Sequence, residues 1–471
     1  MGIKLEWEIE SGVRNTGEDP EAARQRRRLR MRLLFGIGFF VVAVLSCFGL
    51  VALRLRYVDD EVRQQLVNTV DAEVAALRIG DWNAFLNFQH YCNPEWAGTQ
   101  RQQFNAYQAL KLEQNIQLPG HVLSVTLDDQ QRRARVVVEE IVDGVSYSRV
   151  WFYYLFPETR TQCDDPQTTV TVPRWLHVAP DYTFWGSQQT FTADNLTIVY
   201  YDVDTALVEQ MGPRLTSWIN SACAALPCDN SLPLAVVVLP NPTLQIGWMA
   251  DNPLALQMPS PYTTRARTDQ PFDPELQLQI ANMVADHFVA LASNSMQPVY
   301  PADAYYLRQA VVSWLVGQFV EIDTSSFVIS SLAAQYGAPA VGRLVQAMQP
   351  TSDARVLAQA AGVASLDGAN LDWRDFLTWR LIAEDSLIAQ RDEANFLALY
   401  DTRDENIRNA ALARFNAASP AENRVVTVVG AQTGADGSPE LTATVQVGEG
   451  DSARQELVLF RLVDGLWKRA S

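Results

Sequence analysis

Leu33-Leu34-Phe35-Gly36-Ile37-Gly38-Phe39-Phe40-Val41-Val42-Ala43-Val44-Leu45-Ser46-Cys47-Phe48-Gly49-Leu50-Val51-Ala52-Leu53 is a run of 21 uncharged residues that follows directly on six arginines between Arg24 and Arg32. As a helix rising about 1.5 Å per residue it covers about 30 Å, the hydrocarbon thickness of a bilayer. The run with its shoulders predicts a transmembrane helix over 33–55, dividing a basic cytoplasmic tail, 1–32, from a large body. Arginine before the run and Asp59-Asp60-Glu61 after it place the N-terminus in the cytoplasm under the positive-inside rule. The expected location is a single-pass protein of the cell membrane with an extracytoplasmic body, and the expected lipid contact is Leu33–Leu53. The apolar run is too long for a cleaved signal peptide and ends in Leu53-Arg54-Leu55-Arg56, without small residues for cleavage.

The chain has 471 residues, 48% of them hydrophobic and 10% aromatic, enough for several buried cores. Beyond residue 56 there are 27 basic and 48 acidic side chains, a balance of −21, which repels nucleic acid and excludes it as a partner. That part also holds Cys92, Cys163, Cys223 and Cys228, an even count that in an exported region predicts two disulfides. Cys92–Cys163 and Cys223–Cys228 are the favoured pairs, because each falls within one expected domain. Zinc at the Cys-x4-Cys pair is disfavoured, since no second ligand pair has matching spacing.

Leu66, Val70, Val74 and Leu77 have helical spacing, with Gly80 as the residue that ends the helix and Asp81 as the cap of a second one through Trp82, Phe85 and Phe88. Strands are predicted over 121–127, 132–142, 145–156 and 168–178, with Asp143-Gly144 as a hairpin turn. A new unit opens near Gln188 with a strand at Leu196–Tyr201, a helix over 204–225 and a strand at Leu234–Leu239. Six helices follow, over 274–292, 302–321, 325–335, 339–348, 354–361 and 373–390. The last unit adds helices through 396–399 and 403–415 and strands over 425–429, 441–447, 455–462 and 466–469. The expected class is α+β.

The segment Ala75-Ala76-Leu77-Arg78-Ile79-Gly80-Asp81-Trp82-Asn83-Ala84-Phe85, followed by a long sheet, resembles the SnoaL-like superfamily. That resemblance implies an α+β cone over 57–187 in which a curved sheet wraps an N-terminal helix, and places Asp181, Trp175, Trp185 and His177 as possible cone-lining groups. The closing Phe460-Arg461-Leu462-Val463-Asp464-Gly465-Leu466-Trp467-Lys468 looks like the last hairpin of a smaller SnoaL-like α+β unit over 386–471.

Between them, 188–385 resembles the peptidase MA-like group of gluzincin zinc peptidases, an α+β domain with a helical half. Trp314-Leu315, Tyr336-Gly337 and Leu371-Asp372-Trp373-Arg374-Asp375-Phe376-Leu377 stand where members carry their W-L-x-E-G, Tyr-Gly and Trp-rich segments. Members bind zinc through an H-E-x-x-H helix, whose two histidines share a face while the glutamate activates water. Here Ile280-Ala281-Asn282-Met283-Val284-Ala285-Asp286-His287 falls at that helix. Asn282 and Asp286 replace the histidines, Met283 the base, and Gly317 the third ligand. One amide and one carboxylate are far from the nitrogen-rich set zinc prefers, so no metal, cofactor or catalytic residue is expected. His287 lies one residue past the aligned ligand, and one residue turns a side chain by about 100° around a helix. His287, Tyr305, Tyr306, Arg308 and Trp314 are the candidates for lining a retained groove; Trp and Tyr at such spacing also read as core. With only four histidines, and no Gly-rich phosphate loop or G-x-S-x-G elbow, no other enzyme motif is present.

These readings predict a bacterial, membrane-anchored, noncatalytic protein that binds a protein or peptide at the cell surface or scaffolds an envelope complex. The competing classes are a hydrolase with an atypical centre and an accessory subunit of a membrane complex.

Overall fold

The computed structural model describes residues 20–90, 92–156, 173–228, 234–321, 326–417, 423–448 and 453–471. The first element, α1 (Pro20–Ile79), is one unbroken helix of 60 residues. No helix among the described residues is long and apolar enough to cross a membrane. This overturns the transmembrane helix expected over 33–55 and removes the ground for the orientation and the bilayer contact drawn from it. The uncharged run is an interior stretch of a longer helix whose charge resumes at Arg54 and Asp59, so its own boundaries are not those of a structural element. Phe39, Phe40, Leu45 and Phe48 are exposed on it.

The chain divides into two compact units. The first takes the described residues up to Gln108 with Gly120–Ala134 and Tyr153–His177. Its interior begins on α1, where Leu66, Val70, Val74 and Leu77 form a buried stripe, each worth about 1.5–3 kcal/mol relative to exposure. Gly80 ends the helix at φ +86°, and its N–H and that of Asp81 donate to the Ala76 carbonyl at 3.0 and 3.1 Å. Asp81 then accepts the Ala84 N–H at 3.0 Å and starts α2 (Trp82–Leu86). Phe104 of α3 (Pro94–Glu113) packs its ring against Trp82 and Phe85 at 5.3 and 5.4 Å. It holds β1 (Val122–Leu127), the first two residues of β2 (Arg133–Val142), the last four of β3 (Val145–Phe156) and all but the end of β4 (Arg174–Val178), which pairs with β3. Residues 168–172 of the last expected strand lie outside the described residues.

The second unit takes Ala109–Pro119, Arg135–Phe152 and Val178–Ser471. In it β2 turns into β3 through Asp143 and Gly144, both at positive φ as a tight hairpin requires. Its main sheet holds β5 (Gln188–Ala193), β6 (Leu196–Tyr201), β7 (Leu234–Leu239), β8 (Gly247–Trp248) and β9 (Ala255–Pro259) in the order β5-β6-β7-β9-β8. β6, β7 and β9 are parallel and the outer two antiparallel; a short β10 (Ala266–Arg267) pairs with Ser148 and Tyr147 of β3. α4 (Thr205–Ala225) crosses between β6 and β7 and buries Leu207, Met211, Leu215 and Trp218.

The helical half follows as α5 (Pro274–Ala292), α6 (Asp303–Phe319), α7 (Phe327–Tyr336), α8 (Ala338–Ala347), α9 (Arg355–Ala361) and α10 (Arg374–Gln390). α8 comes so close to α4 that a Cβ on Gly342 would lie 2.4 Å from the Ala225 carbonyl oxygen. α11 (Glu393–Ala398), α12 (Glu405–Ala417) and the antiparallel sheet β11 (Arg424–Thr433), β12 (Pro439–Val447), β13 (Arg454–Val463), β14 (Leu466–Arg469) close the chain. Buried Glu384 on α10 receives Arg424 at 3.2 Å and Arg469 at 2.9 Å, which ties that sheet to the helix. The expected border at 385/386 falls inside α10.

Candidate functional site

Asp273 caps α5 by accepting the Leu276 N–H at 2.9 Å, and Pro274 fills the first turn, where no N–H is needed. Ile280, Ala281, Val284, Ala285 and Val289 bury the inner face of the helix. Asn282 and Asp286, four residues apart, therefore share the exposed face, with Met283 half-buried beside them. Asn282 donates its amide to its own helix at the Leu278 carbonyl, 2.7 Å away. Asp286 is paired at 2.6 Å with the Arg308 guanidinium of α6. Gly317, on α6, offers no side chain.

Apart from Arg308, the groove candidates on α6 do not assemble around this face. Tyr305 and Tyr306 of α6 both stack on Trp379 of α10, with centroids 5.8 and 5.9 Å away. Tyr306 also meets Phe376 edge-on at 5.8 Å, and burial pushes its phenol far up. Trp314 is buried in α6. These aromatic side chains act as packing, and Arg308 serves the link to Asp286. Among the described residues no group of three or more His, Cys, Asp or Glu side chains is placed to hold a metal.

His287 has a different environment. Its ring stacks on Trp248 of β8 at 4.0 Å and 24°, and burial lowers its pKa against the opposing pull of Asp286. Its Nε2 is buried without a hydrogen-bond partner. The residue lines a cavity of about 220 Å³ together with Ile219, Leu234, Leu254, Phe288 and Leu291. The Cys223–Cys228 disulfide, with Cα atoms 5.1 Å apart, also lines it. The second expected pair cannot be placed in this way, because Cys163 lies outside the described residues.

The first unit holds a cluster of which the sequence reading named only His177. Glu73, on the buried side of α1, accepts the Gln89 amide at 2.7 Å and the Tyr153 hydroxyl at 2.8 Å. It also pairs with His177 Nδ1 at 2.7 Å. His177 lies between the rings of Tyr153 and Trp96, 5.0 and 5.2 Å away, and its carbonyl accepts the Trp96 indole N–H at 3.1 Å. Glu73 is 1% exposed and Tyr153 not at all. Burial, then Glu73, pushes the Tyr153 phenol well above its ordinary range. Imidazole and phenol each lie within proton-transfer reach of the carboxylate, on its two different oxygens, but all three are packed behind a wall of rings. Their arrangement braces the interior.

In the second unit the crevice beyond the C-terminal ends of parallel strands, a common ligand position in open α/β sheets, is filled. Asp204 follows β6 and accepts the Ser260 hydroxyl, which follows β9, at 2.5 Å. The Trp185 indole N–H donates to the same carboxylate at 3.4 Å. Burial raises Asp204 to about 6, and burial raises Tyr262 to about 12. Of the other cone-lining residues read from the sequence, Asp181 caps a short turn by accepting the Thr183 N–H at 3.1 Å, and Trp175 is buried.

Comparison of the chain with family models, curated proteins and solved structures gives no match in any of the three, and nothing identifies a peptidase MA-like or a SnoaL-like domain.

Proposed function

We propose that this chain is a noncatalytic binding or scaffolding protein that holds a partner without turning it over. The observation that carries the reading is the fate of the four positions on α5 and α6 aligned with hydrolytic groups. Asn282 is turned onto its own helix, Asp286 is neutralised by Arg308, and Met283 and Gly317 bring no donor or base. A water-activating centre needs free ligands or a free base within reach of substrate, and here each is engaged or absent. The cavity beside His287 is apolar, which suits capture better than hydrolysis.

The partner class proposed is a protein or peptide, and the compartment one outside the cytoplasm. The Cys223–Cys228 disulfide supports the compartment, because such bonds persist where the surroundings are oxidising. A pseudopeptidase frame over 188–385 is part of the proposal, supported by the strand-helix-strand lead into a helical half.

Metal analysis of the purified full chain after incubation with zinc tests the reading. Less than a tenth of an equivalent bound is the expected result. One tightly held zinc per chain, lost on Asn282→Ala or Asp286→Ala, overturns it.

A further inference from the structure

The two edges of the C-terminal sheet differ. β14 is four residues long, and Tyr400 forms a bridge to Arg469 along its outer side. The other edge is β11, ten residues long. α10 covers its beginning, where the Val426 N–H donates to the Thr378 hydroxyl at 3.0 Å. A register shift follows between Val426 and Val428, and beyond it no strand pairs with the outer side of β11 among the described residues. Native edges are commonly guarded by charge, proline or cover. Thr427-Val428-Val429-Gly430-Ala431-Gln432-Thr433 carries neither charge nor proline.

The ladder fixes which backbone groups face outward, because in antiparallel strands successive residues turn their N–H and C=O to opposite sides. Leu459 donates to the Ser471 hydroxyl at 2.9 Å and accepts the Ala470 N–H at 2.7 Å, so it faces β14. Its neighbour Phe460 therefore faces β12, and the register Phe460–Leu441–Ala431 turns Leu441 towards β13 and Ala431 away from β12. Val429 and Thr433, two residues to either side, face outward with it. These three residues span about 13 Å at about 3.3 Å per residue. A groove of about 480 Å³ adjoins them, lined by Val429, Ala431, Leu441, Trp373 and Trp467. Two of its carboxylates are neutralised, Asp372 by Arg374 at 2.6 Å and Glu440 by Arg461 at 2.9 Å. A third, Asp367, is exposed and has no basic partner among the described residues.

We propose that the free half of β11 takes an extended peptide segment of a partner protein as an added strand. Its backbone bonds to Val429, Ala431 and Thr433, its alternate apolar side chains enter the groove, and a lysine or arginine meets Asp367. Strand addition draws affinity from main-chain hydrogen bonds and specificity from pockets for alternate side chains, and this edge offers both. A second copy of β11 fits less well, since it would bring no cation to Asp367 and only Val429, Ala431 and Thr433 to the groove. The inference rests on the proposed reading in taking a peptide as the partner, and gives that partner a place away from α5.

Selection of phage-displayed random nonapeptides on the full chain, then fluorescence titration of the best binder as a synthetic peptide, tests the proposal. Alternating apolar residues with a lysine or arginine are expected. N-methylation of one alternate set of its backbone amides is expected to weaken binding about tenfold or more, the worth of main-chain hydrogen bonds. N-methylation of the other set should change it less than about twofold, because those amides face away from β11. Ala431→Pro removes an outward N–H, keeps the ladder to β12, and is expected to weaken binding as much as the first set does. Asp367→Asn should weaken it about two- to fivefold, as an exposed ion pair does. Failure to select a saturable binder, equal affinity of the two methylated peptides, or unchanged binding by a folded Ala431→Pro chain overturns the proposal. So does a dimer of the free chain that Ala431→Pro dissociates, since the edge would then belong to a second copy. An affinity unchanged by Asp367→Asn overturns the basic partner. If Ala431→Pro does not fold, the methylated pair on the unaltered chain decides. Peptides that bind in this way and are then cleaved refute the noncatalytic reading alone. A chain that cleaves nothing and binds both methylated peptides equally refutes this inference alone.

Discussion

In the first unit, Glu73 gathers Gln89, Tyr153 and His177 at 2.7–2.8 Å in an interior where the carboxylate is 1% exposed. In the second, His287 lines a cavity of about 220 Å³ and its Nε2 has no partner at all. Around Glu73 the chemistry converges and is sealed from solvent; beside His287 there is room and, among the described residues, almost no chemistry. Catalysis needs both in one place, since a reacting group must be polar, poised and reachable. The difference teaches that a cluster of titratable groups is evidence of function only when some of its hydrogen-bonding capacity is left for a substrate.

The comparison breaks most visibly at Glu73. Glu73→Leu removes the shared buried partner of Gln89, Tyr153 and His177, and urea unfolding is expected to show a loss of about 3–5 kcal/mol. A loss below about 1 kcal/mol would mean that the network is not a brace. Asp204 gives the next effect, with a definite pH window. Burial raises its folded pKa to about 6, above the ~3.9 of an unfolded aspartate. The folded state therefore holds this proton more tightly, so stability from the group is complete below about pH 4 and is lost as pH rises through about 6. Asp204→Asn should accordingly gain about 2 kcal/mol at pH 8 and nothing at pH 4, as read by thermal unfolding at the two values.

Gly342→Ala follows. Its Cβ would meet the Ala225 carbonyl at 2.4 Å, and the shift forced between α4 and α8 is expected to cost about 1–3 kcal/mol in the same assay. The smallest change belongs to the exposed face of α5. Asp286 is half-exposed, so solvent screens its end of the pair, but Arg308 is buried and loses its carboxylate, and Asp286→Ala should cost about 1 kcal/mol. A larger loss there would show that the ion pair supports the helical half.

Much of the fold was legible because the local signals are strong. The alternation and turn around Asp143-Gly144 define β2 and β3, and Leu234–Leu239 is a strand at both ends as read. Asp81 and Gly80 mark a helix start and stop by capping chemistry that needs only adjacent residues. α3 escaped notice because its inward face alternates Trp96 and Phe104 with Gln100, which weakens the apolar stripe. β9 lies directly after Asn252-Pro253 and ends in Pro259, residues that usually mark loops, and is held by its neighbour β7. The apolar run after the arginines misled because a window sees composition and not where a helix stops.

The sites divide in the same way. The placement of Asn282 and Asp286 on one face follows from helical spacing, and the structure has that face exposed. Glu73 left a trace, a charged residue three positions after Val70 on an otherwise apolar stripe. Its partners are 16, 80 and 104 residues away, a separation that no local pattern carries. The cavity beside His287 is also nonlocal, drawn from the turn between β5 and β6, α4 and the residues after it, the start of β7, the residue before β9, and α5.

The most direct test of separated chemistry and space is cleavage of a random peptide library by the full chain, with added zinc and then with a chelator. The account predicts a product profile identical to buffer in both conditions. Reproducible cleavage that the chelator abolishes would contradict it, because it would require a reachable metal centre that the engaged Asn282 and Asp286 side chains do not provide.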